Sequence, residues 1–498
     1  MPVAALIIPS VCFSQSPLIE WQTRVSGNHM DQMYSVARTT DSCYVFGAES
    51  LSPGPEVPDN YGYWDFLVFK INDAGQLLWS RNLGGSREDR ACKVVEGKDG
   101  FLYVAGYSDS DDHDVTGNLG DTDVLVIKLD QDGNTIWVKN YGGTGYDKTE
   151  TILPTADGNL IIAGECDTYA GDSAYLMGPN VYILKIDTAG NEIWSKKLGG
   201  FSHDSANEFD YTSDGGYIIG GHTESDNGDV FDHRDGVDVW FIKLDSIGDT
   251  LWTRSYCGNW TDNVYDVTGT FDGGFIACGL TYSREVDFAG NTSYSTYWVT
   301  RFDRYGYPIW TSWGCYVPMG RVRSIIELPD NSFLTIGFGL YENSWGFSKD
   351  VVINEISMYG GRKTFAAFGG SEWDSGSDII ANDDGSLVVA AYSKSSDGDV
   401  AFTMDNNNGD LWLFKLSEYQ DIPEPEKKDN IRVYPNPAGN FVNVDIKDKA
   451  FNPFYVRVYD LTGRKLIEKL HVSGNSIMIN VENLQQGVYF IEVHGDII

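Results

Sequence analysis

The chain has 498 residues, a formal net charge of −36 and an isoelectric point near 4.3. A phosphate backbone would be repelled by such a surface, so nucleic acid is excluded as a partner, while the same charge favours solubility and can draw cations. No stretch reaches the roughly 20 apolar residues of a membrane helix, so no transmembrane segment is expected.

The first sixteen residues, MPVAALIIPSVCFSQS, run from a short apolar stretch into small and polar residues. This resembles the end of a secretory signal peptide, and export is expected. A tryptophan then recurs at Trp21, Trp79, Trp137, Trp194, Trp252 and Trp310, at spacings of 58, 58, 57, 58 and 58 residues, and Thr364 takes the seventh place. A Lys-bearing strand recurs beside it, as DFLVFKI from Asp65, DVLVIKL from Asp123 and onwards to DLWLFKL from Asp410. Between them lie period-two apolar runs bounded by Asp-Gly turns, the pattern of antiparallel hairpins. The Trp strand comes first without a partner, and the Lys-bearing strand comes last without one. The two halves complete each other, so the array closes as a ring. A period of this length made only of strands predicts a seven-bladed β-propeller over residues 17–416, closed by its N-terminal strand. The strand of Trp21 should pair beside residues 411–416. A monomer is expected.

Each blade reads as strands A to D, with Trp on D. The A–B and C–D turns share one uniformly tight face. The B–C and D–A loops share the other face and hold most of the variation in length, which makes that face the expected binding surface. Tyr61, Tyr63, Tyr282, Tyr294, Tyr341 and Trp345 are its candidate ligand-stacking residues. The expected function is noncatalytic binding of an extracellular glycan or protein. The alternative is a polysaccharide-active or other hydrolytic enzyme with loop-borne acids.

Ten residues after each Trp position stand Asp31, Asp89, Asp147, Asp204, Asp262 and Asp374, with Gly320 breaking the series. They open strand A, so they are expected to ring one mouth of the central channel. Blades packed roughly 10 Å apart cannot share one ion among them. A structural role follows, with each carboxylate accepting backbone N–H groups. No catalytic residue, metal site or cofactor is assigned. Calcium is the cation that the Asp-rich B–C loops could hold, at Asp109, Asp111, Asp112 and Asp114, at Asp226, Asp229, Asp232 and Asp235, and at Asp397, Asp399 and Asp405. Solvated turns are the preferred reading there. The seven cysteines form no CxxC pair. Cys257 and Cys315 occupy equivalent places in adjacent blades, and a disulfide between them is left open against the distance between blades. The stretch Asp130-x-x-Gly133-x-x-x-Trp137 resembles the tryptophan docking motif of quinoprotein propellers, although Lys128 stands where that family has Ala. The resemblance implies shared blade packing and no cofactor.

After Leu416 the polar segment SEYQDIPEPEKKDN (417–430) reads as an extended linker. Residues 431–498 hold seven Lys or Arg and seven Asp or Glu, so the acidity belongs to the part before them. Alternating strands and polar turns predict a small β-sandwich. Tyr434-Pro435-Asn436-Pro437-Ala438, Asp460-Leu461-Thr462-Gly463 and the late run Gly487-Val488-Tyr489 resemble the motifs of the type IX secretion C-terminal sorting domain. That resemblance implies recognition by the type IX secretion machinery and a secreted or cell-surface location. In one departure, the chain stops at Gly495-Asp496-Ile497-Ile498, where family members continue with a short Lys-bearing strand.

Overall fold

A computed structural model describes residues 4–8, 18–167, 178–231, 233–234, 236–288, 291, 295–314, 320–343, 346–402, 409–417, 431–434, 441–446, 454–459, 465–472, 476–482, 484 and 488–495. The chain divides into one unit of residues 16–419 and a second that joins 1–15 to 420–498.

The first unit is the seven-bladed propeller. Six blades are consecutive four-stranded meanders, such as Asp89–Glu96, Leu102–Ser108, Asp123–Leu129 and Thr135–Tyr141. The seventh takes strands A to C from Asp374–Ala381, Leu387–Ser393 and Asp410–Leu416, and its outer strand from Ile19–Val25. Trp21 lies opposite Lys415 in that pairing. The ring is therefore sealed by its own first strand, which leaves no open seam. Strands B and C are buried along their length. Their side chains fill apolar cores between neighbouring blades. One such core joins Val388, Ala390, Leu411 and Leu413 of the last blade to Phe46, Ala48 and Phe69 of the first.

Indoles tie the outer rim together. The Trp21 Nε1–H donates to the Asp73 carbonyl at 2.9 Å, and that of Trp79 donates to the Gln131 carbonyl at 2.9 Å. Each indole lies on the C–D turn of the next blade. The turn glycines there have positive φ, 78° at Gly75 and 77° at Gly133, and a Cβ would sit within 3 Å of the indole. Glycine is thus required twice over, for conformation and for clearance.

On the tight face, the strand-C lysine pairs with the Asp of the A–B turn: Lys70 with Asp41 at 2.6 Å, Lys128 with Asp99 at 2.7 Å and Lys185 with Asp157 at 2.7 Å. Lys243 with Asp214 and Arg301 with Asp272 repeat the pair in the next two blades, whereas blade 6 carries Glu355 at that place, paired with Lys363, and Lys415 of blade 7 reaches Asp73 of the first blade.

In the second unit, Ile431–Tyr434, Phe441–Ile446 and Ser476–Asn480 form a three-stranded sheet. Phe454–Tyr459, Lys465–Val472 and Val488–Gly495 form another, joined at its edge by Ala4–Ile8, which runs parallel to Val488–Gly495. The leading apolar run is thus a sheet-edge strand. Alternate residues Val442 and Val444, and Val456 and Val458, are buried, as the period-two pattern requires. Tyr434 and Tyr489 lie in strands of this unit, whereas Pro435, Asn436, Pro437, Asp460, Gly463 and Gly487 fall outside the described residues.

Candidate functional site

The A strands pack around a central cavity of about 880 Å³. Every A strand carries a β-bulge, with register shifts between Met33 and Ser35, Ala91 and Lys93, Thr149 and Thr151, and at equivalent places in the other four blades. A bulge leaves one residue unpaired and re-aims its side chain. The bulged residues are Tyr34, Cys92, Glu150, Asn207, Tyr265, Arg323 and Ser377, and all seven line the cavity. Sequence reasoning missed them. Their signal was present: each falls three residues after the acidic position, where the strict alternation of strand A slips by one.

The six aspartates are not where the sequence reading put them. They are buried, and none lines the channel. The first residue of strand A shares a face with the third, and that face turns between blades. There the carboxylates are latched. Gly85 N–H donates to Asp89 Oδ2 at 2.7 Å, Gly143 N–H to Asp147 at 2.6 Å and Gly200 N–H to Asp204 at 2.7 Å. Gly27 and Gly370 do the same for Asp31 and Asp374 at 2.7 and 2.9 Å. Hydroxyls from the end of strand B complete the latch. Ser108 and Ser110 bond Asp89, Thr223 and Ser225 bond Asp204, Thr281 and Ser283 bond Asp262, and Ser393 and Ser395 bond Asp374. Burial is the main cause that raises their pKa values, to about 7 at Asp31 and about 6 at Asp262 and Asp374.

The Asp-rich loops are spent in the same way. Asp112 accepts the Ser86 N–H, Asp397 that of Ser371, and Asp111 that of Gly117, each at 2.7 Å. Asp232, Asp235 and Asp405 lie outside the described residues. Among the described residues no group of three or more His, Cys, Asp or Glu is arranged to hold a metal ion.

The six aromatic candidates do not come together. Tyr61 stacks on His113 from the next blade at 4.3 Å between ring centroids, Tyr63 is exposed on the same loop, and Tyr282 is exposed three blades away round the ring. Tyr294 and Trp345 fall outside the described residues. Tyr341 is not in a loop. It sits in Phe333–Asn343 opposite Ser348, because strands B and C of blade 6 go on pairing beyond the place where other blades open into loops. The Cys257 sulfur lies 3.7 Å from Asp287, and Cys315 lies outside the described residues.

Ionisable clusters around the A strands differ from blade to blade, and of their members Lys93, Glu150, Glu208 and Arg323 line the cavity. On one side His203 Nε2 lies 2.7 Å from Glu165, and the His222 ring meets the His203 ring edge-on at 5.0 Å. The His203 bond holds Glu165 low against the effect of burial, and the same bond raises His203. Burial, then His203, pushes His222 down to about 4. Glu150 is pushed up to about 7 by its enclosure in the wall and then by the Glu165 charge. Lys93 reaches Glu208, two blades away, at 2.6 Å. Arg90 bridges Glu49 at 2.9 Å and Glu88 at 2.5 Å, and the Tyr34 hydroxyl donates to Glu49 at 2.8 Å. On the opposite side stand Arg321 and Arg323, with Arg321 5.4 Å over the Tyr265 ring. Lys349 lies 3.9 Å over the half-exposed ring of Trp373.

Residues 432–497 match the model of the secretion system C-terminal sorting domain. The chain is accordingly exported by the type IX secretion system, to the cell surface or the extracellular space. It is similar to the regulatory protein FlaEY of Caulobacter vibrioides, at 23% identity over 322 residues, covering 58% of this chain. The match spans 33% of that protein's length. Among solved structures it is similar to the β-propeller domain of the Trilobed protease from Pyrococcus furiosus, at 9% identity and a TM-score of 0.41, over 81% of this chain and 99% of that one. It is also similar to the acylaminoacyl peptidase of Pyrococcus horikoshii, at 10% identity and a TM-score of 0.40, over 93% of this chain and 65% of that one. Identities this low carry no information about activity.

Proposed function

We propose that the exported ring is a noncatalytic binding protein, which takes an extracellular glycan or protein on the face of the B–C and D–A loops, with the channel mouth at its centre. One observation carries this reading. In a chain of net charge −36, the cavity wall sets the cations Lys93, Arg323 and Lys394 beside the rings of Tyr34, Tyr265 and Trp373, with the carboxyl groups of Glu150, Glu208, Asp266 and Asp378 in the same wall. Such pairs suit recognition of polar ligands with flat faces.

A hydrolytic reading has one observation in its favour. Glu150 and Glu165 interact, and their environments drive their pKa values in opposite directions, as an acid and a base require. Against it, the Cys92 thiol beside Glu150 is held protonated by burial, so it offers no thiolate nucleophile. The test is a glycan and protein array probed with the intact chain, run beside a product-release assay on each bound partner. Binding without product is expected. Product formation that disappears in Glu150→Gln would replace this reading with the hydrolytic one.

A further inference from the structure

The geometry points to the blade 5–6 wall of the channel as the seat of a carboxylate-bearing sugar, with Arg323 as its ion-pairing residue. This deepens the binding reading and rests on it.

Arg323 is the bulged residue of strand A in blade 6, so its side chain is delivered to the lumen. Among the described residues it has no hydrogen bond, ion pair or ring partner. Its charge is disfavoured by burial and then by Arg321, and it is favoured by Tyr265, Tyr34 and Tyr297. Arg321 stands beside it, hydrogen-bonded to Tyr297 and 5.4 Å over the Tyr265 ring, with its Nε alone buried and without a hydrogen-bond partner. By contrast, Lys93 has Glu208 and Arg90 has Glu49 and Glu88. A guanidinium held in the wall with no ion-pair partner is costly to maintain, and an incoming anion offsets that cost. The planar fork of Arg matches a carboxylate in a bidentate manner.

The rings decide the rest of the ligand. Tyr34 and Tyr265 line the same cavity as Arg323, and Arg321 lies over the Tyr265 ring; such flat faces suit a pyranose. The opposite wall adds hydrogen-bonding groups at Glu150 and Asn207 for sugar hydroxyls. A peptide is disfavoured by the backbone. Peptides commonly add to a free strand edge, and the bulge in every A strand interrupts that edge. The ligand class is therefore a uronic-acid oligosaccharide, entering carboxylate first.

The experiment is calorimetric titration of the intact chain with trigalacturonate, with neutral cellotriose, and with a hexapeptide bearing a free C-terminus, at about 0.15 M salt. Trigalacturonate should bind, and cellotriose should bind at least about tenfold more weakly. Arg323→Gln should lose about tenfold or more in trigalacturonate affinity, with no fall in melting temperature, since it relieves the repulsion with Arg321. Arg323→Lys keeps the charge without the fork and should fall between the two; it carries the test if the Gln variant does not fold. Equal binding of the neutral trimer, wild-type affinity in Arg323→Gln, preference for the peptide, or no saturable binding of trigalacturonate would each overturn the site. If the array still shows ligands that Arg323→Gln binds normally, only the channel site fails. A wild-type chain that binds no glycan and no protein defeats the broader reading as well.

Discussion

Blade 6 and the other blades solve the same packing problem differently. In blades 1, 2, 4, 5 and 7 an Asp opens strand A, and a Ser or Thr ends strand B opposite it. In blade 6 both places are glycine, Gly320 and Gly339, and strands B and C continue to Asn343 and from Gly346 as a long hairpin. Where the latch exists, the loop leaves the sheet at a fixed point and the carboxylate is consumed internally. Where it is missing, pairing continues, and the neighbouring positions carry Arg321 and Arg323. A repeated acidic residue in a ring is therefore a sign of structure here, and the blade that breaks the repeat is the better place to look for function.

The sharpest way to break that comparison is to open the ring. Deleting residues 1–25 removes the outer strand of blade 7 and exposes the Asp410–Leu416 edge, so the cooperative melting transition should be lost. A deletion protein that melts like the full chain would mean that the seam is not sealed by this strand.

Next comes the latch itself. Asp89→Ala leaves the Gly85 amide and the Ser108 and Ser110 hydroxyls without their acceptor, and should cost about 1–3 kcal/mol in chemical denaturation. Asp147→Ala, whose strand-B partner is Cys166, should fall in the same range of about 1–3 kcal/mol and leave ligand binding unchanged. Gly339→Ser in blade 6 introduces a hydroxyl with no strand-A carboxylate to meet, since Gly320 stands at that place, and should not stabilise. Equal effects in blades 2 and 6 would remove the distinction drawn between them.

The latches also make stability depend on pH. Burial raises Asp31 to about 7 and Asp262 and Asp374 to about 6. These groups hold protons in the folded state that the unfolded chain gives up near pH 4. Their contribution is full below that value and is lost as pH rises through about 6 to 7. Asp41 works in the other sense. The Lys70 bond overcomes its burial and lowers it to about 2, so its contribution is lost only as pH falls toward that value. The melting temperature of the ring should therefore rise as pH falls from about 7.5 to about 5, and drop again in stronger acid. A flat profile between those two values would show that the latch carboxylates are charged in the fold.

The smallest expected effect concerns the tail. Removing residues 420–498 should leave the ring's melting transition close to unchanged while export stops, measured by calorimetry and by cell fractionation. A large shift in melting would tie the second unit to the first.

The periodic part of this protein was legible in its sequence. Seven blades, closure by the strand of Trp21 and the docking of indoles on turn glycines follow from a pattern of about 58 residues, because each is a local motif written out in every copy. The sorting tail was legible for the same reason, as contiguous motifs. The direction of the aspartates was not. A one-residue bulge in strand A decides which side chains face the lumen; the alternation slips there, but only the paired sheet shows which way each side chain is turned. Nor could the sequence assemble the channel. Tyr34, Glu150, His203, Tyr265 and Arg323 come from five different blades, so they meet only because the ring closes, and closure is a property of how packed sheets twist against one another rather than of any one repeat.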